Sequence, residues 1–314
     1  MLERFRTYIT VEKRFSPLTV RNYMADLREF LAMCGIAEEE FDPTEIDRDM
    51  VRGWVVALGK RKNARGQSLA ATSINRRIST IKSFFAWLMR EGLIKKNPTM
   101  ALPRLKTPLR LPNYVSEEQM SVSVEHLTEE LSEENSFTAT RNALIILMFY
   151  GLGIRRAELV GLNRDDLSED MTQLRIHGKG GKVRIVPVLR FIADHIQEYL
   201  NEISRSEICI IDKNALILSL KGTRLSSHSV YCIVRREMQR MGVKGKKSPH
   251  VLRHTFATHL MNRGGDMRQI QELMGHSSLR STQVYTHNSI SSLQKIYDSA
   301  HPRGRRNENC DSDD

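Results

Sequence analysis

The second half of this 314-residue chain carries a run of cationic and proton-shuttling side chains. His250 and Arg253 follow Ser248-Pro249, which reads as an N-cap and a first-position proline. They therefore stand three apart on the first turn of a helix. Such a helix end offers unpaired N–H groups and the positive pole of the dipole, both suited to a phosphate. Arg155, in Gly151-Leu-Gly-Ile-Arg155-Arg-Ala-Glu158, follows an apolar helix through a glycine turn. It needs a partner there and Glu158 is near in sequence, although an ordinary buried salt bridge would read the same way. Lys179 falls at the tip of a glycine-rich hairpin, His276 follows the helix-stopping Gly275, and Tyr285 sits in Thr282-Gln-Val-Tyr285-Thr-His287. Taken one by one these have plainer readings: a solvated lysine, a core tyrosine, a His-x-x-Arg pair of no consequence.

Several other chemistries are excluded by spacing. His254 and His259 are five apart, with no HExxH glutamate between them, and no Asp/Glu cluster suggests magnesium. Gly178-Lys-Gly-Gly-Lys182 is preceded by His177 and Ile176 and followed by a strand, which a P-loop forbids. No GxSxG elbow occurs. Cys34, Cys209, Cys232 and Cys310 form no CxxC pair, so neither a disulfide framework nor a zinc site is expected. Lys and Arg exceed Asp and Glu by 48 − 37 = 11. That excess favours a polyanionic partner, with nucleic acid the commonest. No apolar run approaches a membrane span and the first residues carry no secretory signal, so a cytosolic location is expected.

The elements that must position these residues follow from periodicity. Ser16-Pro17 opens a helix whose face is Val20, Tyr23, Met24, Leu27, Phe30 and Leu31, ending at Gly35. A second helix runs from Asp47 to Leu58. After the basic loop 59–66, a third spans Ala70–Arg90, with Ile74, Ile78, Ile81, Phe85 and Leu88 inside. Its other face, Asn75, Arg76, Ser79, Lys82 and Ser83, is either solvated or laid against a phosphate backbone. Prolines at 98, 103, 108 and 112 forbid a helix over 97–113, which reads as an extended basic linker carrying Arg104, Lys106 and Arg110. Helices are expected from Ser116 and over 138–150, and strands over 173–177 and 183–188. Further helices follow at 190–203, 227–241, 249–263, 267–274, 279–286 and 289–299. The stretch Ile208–Leu220 is strand-like, and the polar end 303–314 reads as disordered.

Together, GLGIRRAEL, HGKGGKVRIVPV, HVLRHTFATHLMNRGGDMRQIQELMGHSS and STQVYTH resemble the signature blocks of the tyrosine site-specific recombinases, the phage integrase family, in order and spacing. The likeness continues through SPLTVRNYMADLREFL, SINRRISTIKSFFAWL and YDSAHPR, and the ending and compact length look most like the Xer-type recombinases. Arg156 and Ala157 depart from the family's usual apolar residue and Ser or Thr.

The resemblance implies a mainly α fold of two domains. Residues 1–103 would be a four-helix-type DNA core-binding domain, 104–114 a linker, 115–300 a mostly helical catalytic domain with a small β-sheet, and 301–314 a tail. It assigns Arg155 and Arg253 as the arginine pair, His250 and His276 as the histidines, Lys179 as the hairpin lysine and Tyr285 as the nucleophile. Arg76, Lys82, Arg104 and Lys106 are expected against DNA. No cofactor, metal or ATP is expected. The implied partner is double-stranded DNA at a specific site, gripped by a homo- or hetero-tetramer on two sites, with a second Xer-type recombinase and a DNA translocase as further partners. The apolar stripe Ile290, Leu293, Ile296 and Tyr297 would dock into a neighbour or onto its own domain. The implied role is chromosome dimer resolution. Alternatives are a mobile-element integrase, a non-catalytic accessory DNA-binding protein and a type IB topoisomerase-like relaxase.

Overall fold

The computed structural model describes residues 1–62, 66–107, 114–133, 136–178 and 181–275, with the side chains of 126–133 left aside. The expected helices at 279–286 and 289–299, the tail, Lys179, His276 and Tyr285 lie outside the described residues. The chain divides into two compact units, Met1–Arg110 and Leu111–Asp314.

The N-terminal unit is helical. α1 (Leu2–Thr7) continues through a π-turn at Tyr8–Glu12. Neither was expected from the sequence: α1 has no side-chain cap, and only Leu2, Phe5, Tyr8 and Ile9 mark its buried face. α2 (Pro17–Met33) starts where Ser16 Oγ accepts from the Thr19 N–H at 3.3 Å, and α3 (Arg48–Lys60) where Asp47 accepts from Met50 at 2.8 Å. α4 (Ala71–Arg90) completes the unit. Its inward stripe closes on an aromatic core in which Phe5 and Phe84 rings meet at 5.0 Å and Phe30 and Trp54 at 5.4 Å, edge to face. The opposite face of α4 does more than meet solvent. The Asn75 side chain donates to Leu105 O and accepts from Leu105 N, both at 2.9 Å, and Lys82 Nζ donates to Leu102 O at 2.7 Å. The start of the proline-rich stretch is thus pinned to α4, with Leu102 buried.

The second unit is built around α6 (Phe137–Leu152), apolar all round from Ala143 and buried from Thr140 onward. α5 (Glu117–Glu133), α8 (Arg190–Arg205), α9 (Ser227–Arg240) and α10 (Pro249–Asn262) pack around it. α7 (Arg156–Gly161), too short to show a period, follows the turn at Gly153, and α11 (Met267–Leu273) follows α10. β1 (Gln173–His177) and β2 (Val183–Pro187) form an antiparallel hairpin, Gln173 opposite Pro187 and His177 opposite Val183. The expected strand at Ile208–Leu220 is replaced by turns with isolated bridges, Asn163–Ala215 and Leu218–Arg224. Arg224 holds it by donating to the carbonyls of Val160 and Leu162 and to Asp212, so the apolar run Ala215–Leu218 is buried without joining a ladder. Among the described residues no helix is long and apolar enough to cross a membrane.

Candidate active site

α6 ends at Gly153, whose φ of +56° is left-handed. A Cβ there would stand 2.4 Å from the Phe256 ring, so only glycine permits this turn against α10. The turn delivers Arg155 as the N-cap residue of α7. Glu158, at the third helical position, reaches back to accept the Arg155 backbone N–H at 2.7 Å, half of a capping box. The same carboxylate accepts from Arg155 Nη1 at 2.8 Å. The partner expected for Arg155 is therefore present, but it is shared.

Three guanidiniums surround Glu158. Arg184, from β2, donates through Nη1 and Nη2 to Oε1 and Oε2 at 2.9 and 2.8 Å. Arg253 Nη1 lies 3.9 Å from Oε2 and donates to Gly153 O. Each arginine also binds one of three successive carbonyls where α11 ends. Arg184 Nε donates to Leu273 O at 2.9 Å, Arg253 Nη2 to Met274 O at 2.5 Å, and Arg155 Nη2 to Gly275 O at 2.9 Å. These are the carbonyls a helix C-terminus leaves unpaired, and guanidinium forks suit its negative pole.

Burial divides the arginines. Arg184 and Arg253 side chains are each 7% exposed, whereas Arg155 is 38% exposed. Burial alone would raise the Glu158 pKa, but hydrogen bonds from Arg184 and Arg155 outweigh it and hold the acid at about 2. Burial and the neighbouring Arg155 bring Arg253 down to about 10, which leaves it charged at neutral pH. His250 is exposed on the first turn of α10, one helical turn before Arg253. Desolvation and the field of Arg156, Arg253, Lys246 and Arg155 lower its pKa, so the neutral ring is the neutral-pH form.

Ser248 occupies the N-cap position of α10 but makes no side-chain cap bond, and its buried Oγ has no partner. This departs from the expected Ser cap. His259, excluded above as half of a metal pair, is structural. It is buried between the Tyr150 hydroxyl, 3.0 Å from Nδ1, and Val115 O, 2.8 Å from Nε2. Among the described residues no metal-holding group of His, Cys, Asp and Glu is gathered.

Arg155, Arg253 and His250 are thus brought together. Lys179, His276 and Tyr285 lie outside the described residues, yet the chain flanking the first two does not. Gly178 closes the hairpin base on Lys182 O at 2.7 Å, and a Cβ on it would stand 4.0 Å from Glu158 Oε1. Gly275, on Arg155, is the residue before His276. Sequence reasoning missed Arg184. On a short strand bounded by exposed Val183, an arginine reads as surface; the signal was its alternation with Val183 and Ile185, which puts it on the inward face.

In the N-terminal unit, Arg76 makes a fork to Asp26, at 2.5 and 2.8 Å, and remains 47% exposed. Arg104 and Lys106 are exposed, and with Arg76, Thr72 and Ser79 they line an open groove of about 460 Å³. Lys82 is taken up by Leu102 O, outside that groove.

A helical unit followed by a second helical unit that gathers arginines beside a short hairpin is the fold of DNA recombinases and integrases. Solved structures sharing it include the XerH site-specific recombinase bound to a palindromic difH substrate, with TM-score 0.65 and 22% identity over 94% of this chain and 82% of that one. The Tn1549 transposon integrase in complex with circular intermediate DNA gives TM-score 0.64 and 18% identity over 93% and 97%. Residues 2–92 match the phage integrase N-terminal SAM-like domain and 120–291 the phage integrase family, and the chain belongs to that family. Its relatives include proteins named tyrosine recombinase XerC. That of Thermodesulfovibrio yellowstonii is 35% identical over 98% of both chains, and that of Alcanivorax borkumensis 36% identical over 98% of this chain and 95% of the relative.

Proposed function

We propose that this protein is a site-specific DNA strand transferase that cuts and rejoins duplex DNA through a 3′-phosphotyrosine on Tyr285, without metal or ATP. The observation that carries the reading is the convergence of Arg155 and Arg253 on Glu158, beside His250 at the α10 N-terminus.

A phosphodiester carries one negative charge, and its pentavalent transition state places more on the equatorial oxygens. Two guanidiniums can bind those oxygens with planar forks that a lysine does not reproduce. Arg155, the more exposed of the pair, is the one suited to meet the phosphate directly. In the proposed step the Tyr285 oxygen bonds to phosphorus, the bond to the 5′-oxygen breaks, and the bond energy is kept in the phosphotyrosine. A tyrosine hydroxyl ordinarily ionises near pH ~10, so it must lose its proton during attack. His250, neutral at physiological pH, assists that loss, and His276 hydrogen-bonds the phosphate. Lys179 gives a proton to the departing 5′-oxygen. A 5′-hydroxyl from another strand reverses the chemistry and reseals the DNA.

The division of labour follows the chain. Residues 1–103 bind DNA, 104–114 link and add Arg104 and Lys106 to the groove that Arg76 lines, and 115–300 carry the chemistry. The names of the relatives favour an Xer-type role: chromosome dimer resolution by four protomers on two sites, with a second recombinase and a DNA translocase as partners. Integration of a mobile element is the second reading, favoured by the fold shared with the Tn1549 integrase.

The test uses nicked duplexes carrying candidate recombination sites, incubated with EDTA and no ATP and resolved on a denaturing gel. Wild type is expected to give a covalent protein–DNA band and Tyr285→Phe to bind without one. A band from Tyr285→Phe, or tight wild-type binding without any band, overturns the assignment.

A further inference from the structure

Arg184 has no part in the mechanism above, yet every face of its guanidinium is engaged. It is 7% exposed, makes a two-pronged bond to Glu158 at 2.9 and 2.8 Å, and donates from Nε to Leu273 O at 2.9 Å. A Cβ on Gly275 would come within 2.9 Å of its Nη1, so the glycine that ends α11 packs directly on the guanidinium. One planar group therefore joins three segments. They are the hairpin that carries Lys179, the helix capped by Arg155, and the end of α11, from which the chain runs on to His276 and Tyr285.

Charge gives this contact a consequence beyond packing. A carboxylate between two phosphate-binding guanidiniums cancels part of the field they supply. Glu158 Oε1 accepts from Arg155 Nη1 and Arg184 Nη1, and Oε2 from Arg155 N and Arg184 Nη2. A carboxylate offers about four lone-pair sites, so these bonds use its full capacity. Arg184 thus neutralises Glu158 while the carboxylate still aims Arg155. With Arg184 removed, the unbalanced charge faces Arg155 at 2.8 Å and Arg253 at 3.9 Å in a site largely shielded from water.

We propose that Arg184 is a positioning residue for strand transfer: it balances and orients Glu158 so that Arg155 and Arg253 keep charge and geometry for the scissile phosphate, and it holds the end of α11 in register with the hairpin. It does not touch the phosphate itself. The inference rests on the strand-transfer reading given under Proposed function.

The experiment measures single-turnover covalent-complex formation on a nicked recombination site at saturating protein, with DNA affinity read separately by gel shift. Arg184→Gln is expected to cleave ~10²-fold more slowly, the order of loss that a displaced reacting geometry produces, with DNA affinity nearly unchanged. Arg184→Lys keeps the charge without the fork and should recover only part of the rate. The deciding variant is Arg184→Gln combined with Glu158→Gln, which removes the unbalanced charge. Its rate should exceed that of Arg184→Gln alone by ~10-fold, about 1.4 kcal/mol of barrier, and so report coupling between the two residues. A purely structural role predicts the opposite, since deleting a second buried partner would further loosen the fold. Thermal melts verify folding; if Arg184→Gln does not fold, Arg184→Lys carries the test through its own slowed rate at unchanged affinity. Wild-type rates in a folded Arg184→Gln or Arg184→Lys, or a double variant no faster than the single, refute the role. Absence of any wild-type covalent complex instead refutes the strand-transfer reading, so the two failures are distinguishable.

Discussion

Replacing Glu158 by Gln removes the charge around which the site is assembled, and the cost can be worked from its contacts. The side chain is 4% exposed, so solvent does little to soften the change. An acid held at about 2 instead of its ordinary 4.5 contributes ~3 kcal/mol of folding free energy at neutral pH. The same order, ~3–5 kcal/mol, is expected for leaving a buried ion unpaired, here Arg184 at 7% exposure. In a unit of this size each kcal/mol moves the melting point by roughly 2–4 °C, so a drop of about 10 °C is expected. Both tryptophans, Trp54 and Trp87, lie in the N-terminal unit, which separates the signals. Far-UV circular dichroism should show an early loss of helix in Glu158→Gln while tryptophan fluorescence reports an unmoved transition. The sign with pH follows from the depressed pKa: the stabilisation is complete above 4.5 and is lost as pH falls towards 2. The gap between wild type and variant should therefore be full at neutral pH and shrink on acidification below 4.5. A loss under ~1 kcal/mol, the size of an ordinary exposed pair, would show that Glu158 does not balance a buried charge. So would a gap that does not change between neutral pH and the low-pH limit of folding.

Gly153→Ala should lose about 3 kcal/mol, because a left-handed φ of +56° and a Cβ 2.4 Å from the Phe256 ring add strain to overpacking; chemical denaturation followed by circular dichroism reads this, and a near-neutral change would contradict it. Single-turnover cleavage should rise with pH through a group titrating below the ordinary histidine value of 6.5, and His250→Ala should remove that limb from the pH–rate profile; a wild-type limb centred above 6.5 would count against His250 as the assisting base. Arg104→Ala and Lys106→Ala should each lower the salt dependence of DNA binding by ~1 phosphate contact while leaving the fold intact. Lys82→Ala, by freeing Leu102 O, should instead lower the melting point of the N-terminal unit; an unchanged salt slope in the first two would remove the groove from the DNA interface.

What could be read from the sequence was whatever local chemistry determines. Ser16 and Asp47 announce the helices that follow them because a side-chain oxygen next to a periodic apolar run is itself the cap. The places of Arg155, His250 and Arg253 in the chain were legible because a turn and a helix start bracket them. What could not be read depends on partners distant in the chain. Asn75 and Lys82 look like a solvated face until Leu102 and Leu105 fold back onto them. Ile208–Leu220 looks like a strand because it is apolar, but Arg224 ties it to Val160 and Leu162 in place of a ladder. Ser248 occupies a cap position without capping, which no local pattern distinguishes from one that does. Arg184 is the most consequential omission: its two contact regions, Glu158 and Leu273, lie 26 and 89 residues away in the chain.

The end of α11 explains why those distant contacts matter together. Its carbonyls at Leu273, Met274 and Gly275 each receive a different arginine, from β2, α10 and the α7 cap. An arginine that binds a helix C-terminus this way is fixed at one nitrogen and leaves its others for a second partner. Arg155 and Arg253 bind consecutive carbonyls of one backbone, so their spacing is tied to a single helix end. The same bonds fix where the chain leaves α11 towards His276 and Tyr285. Displacing α11 should therefore perturb Arg155, Arg184 and Arg253 in a single step.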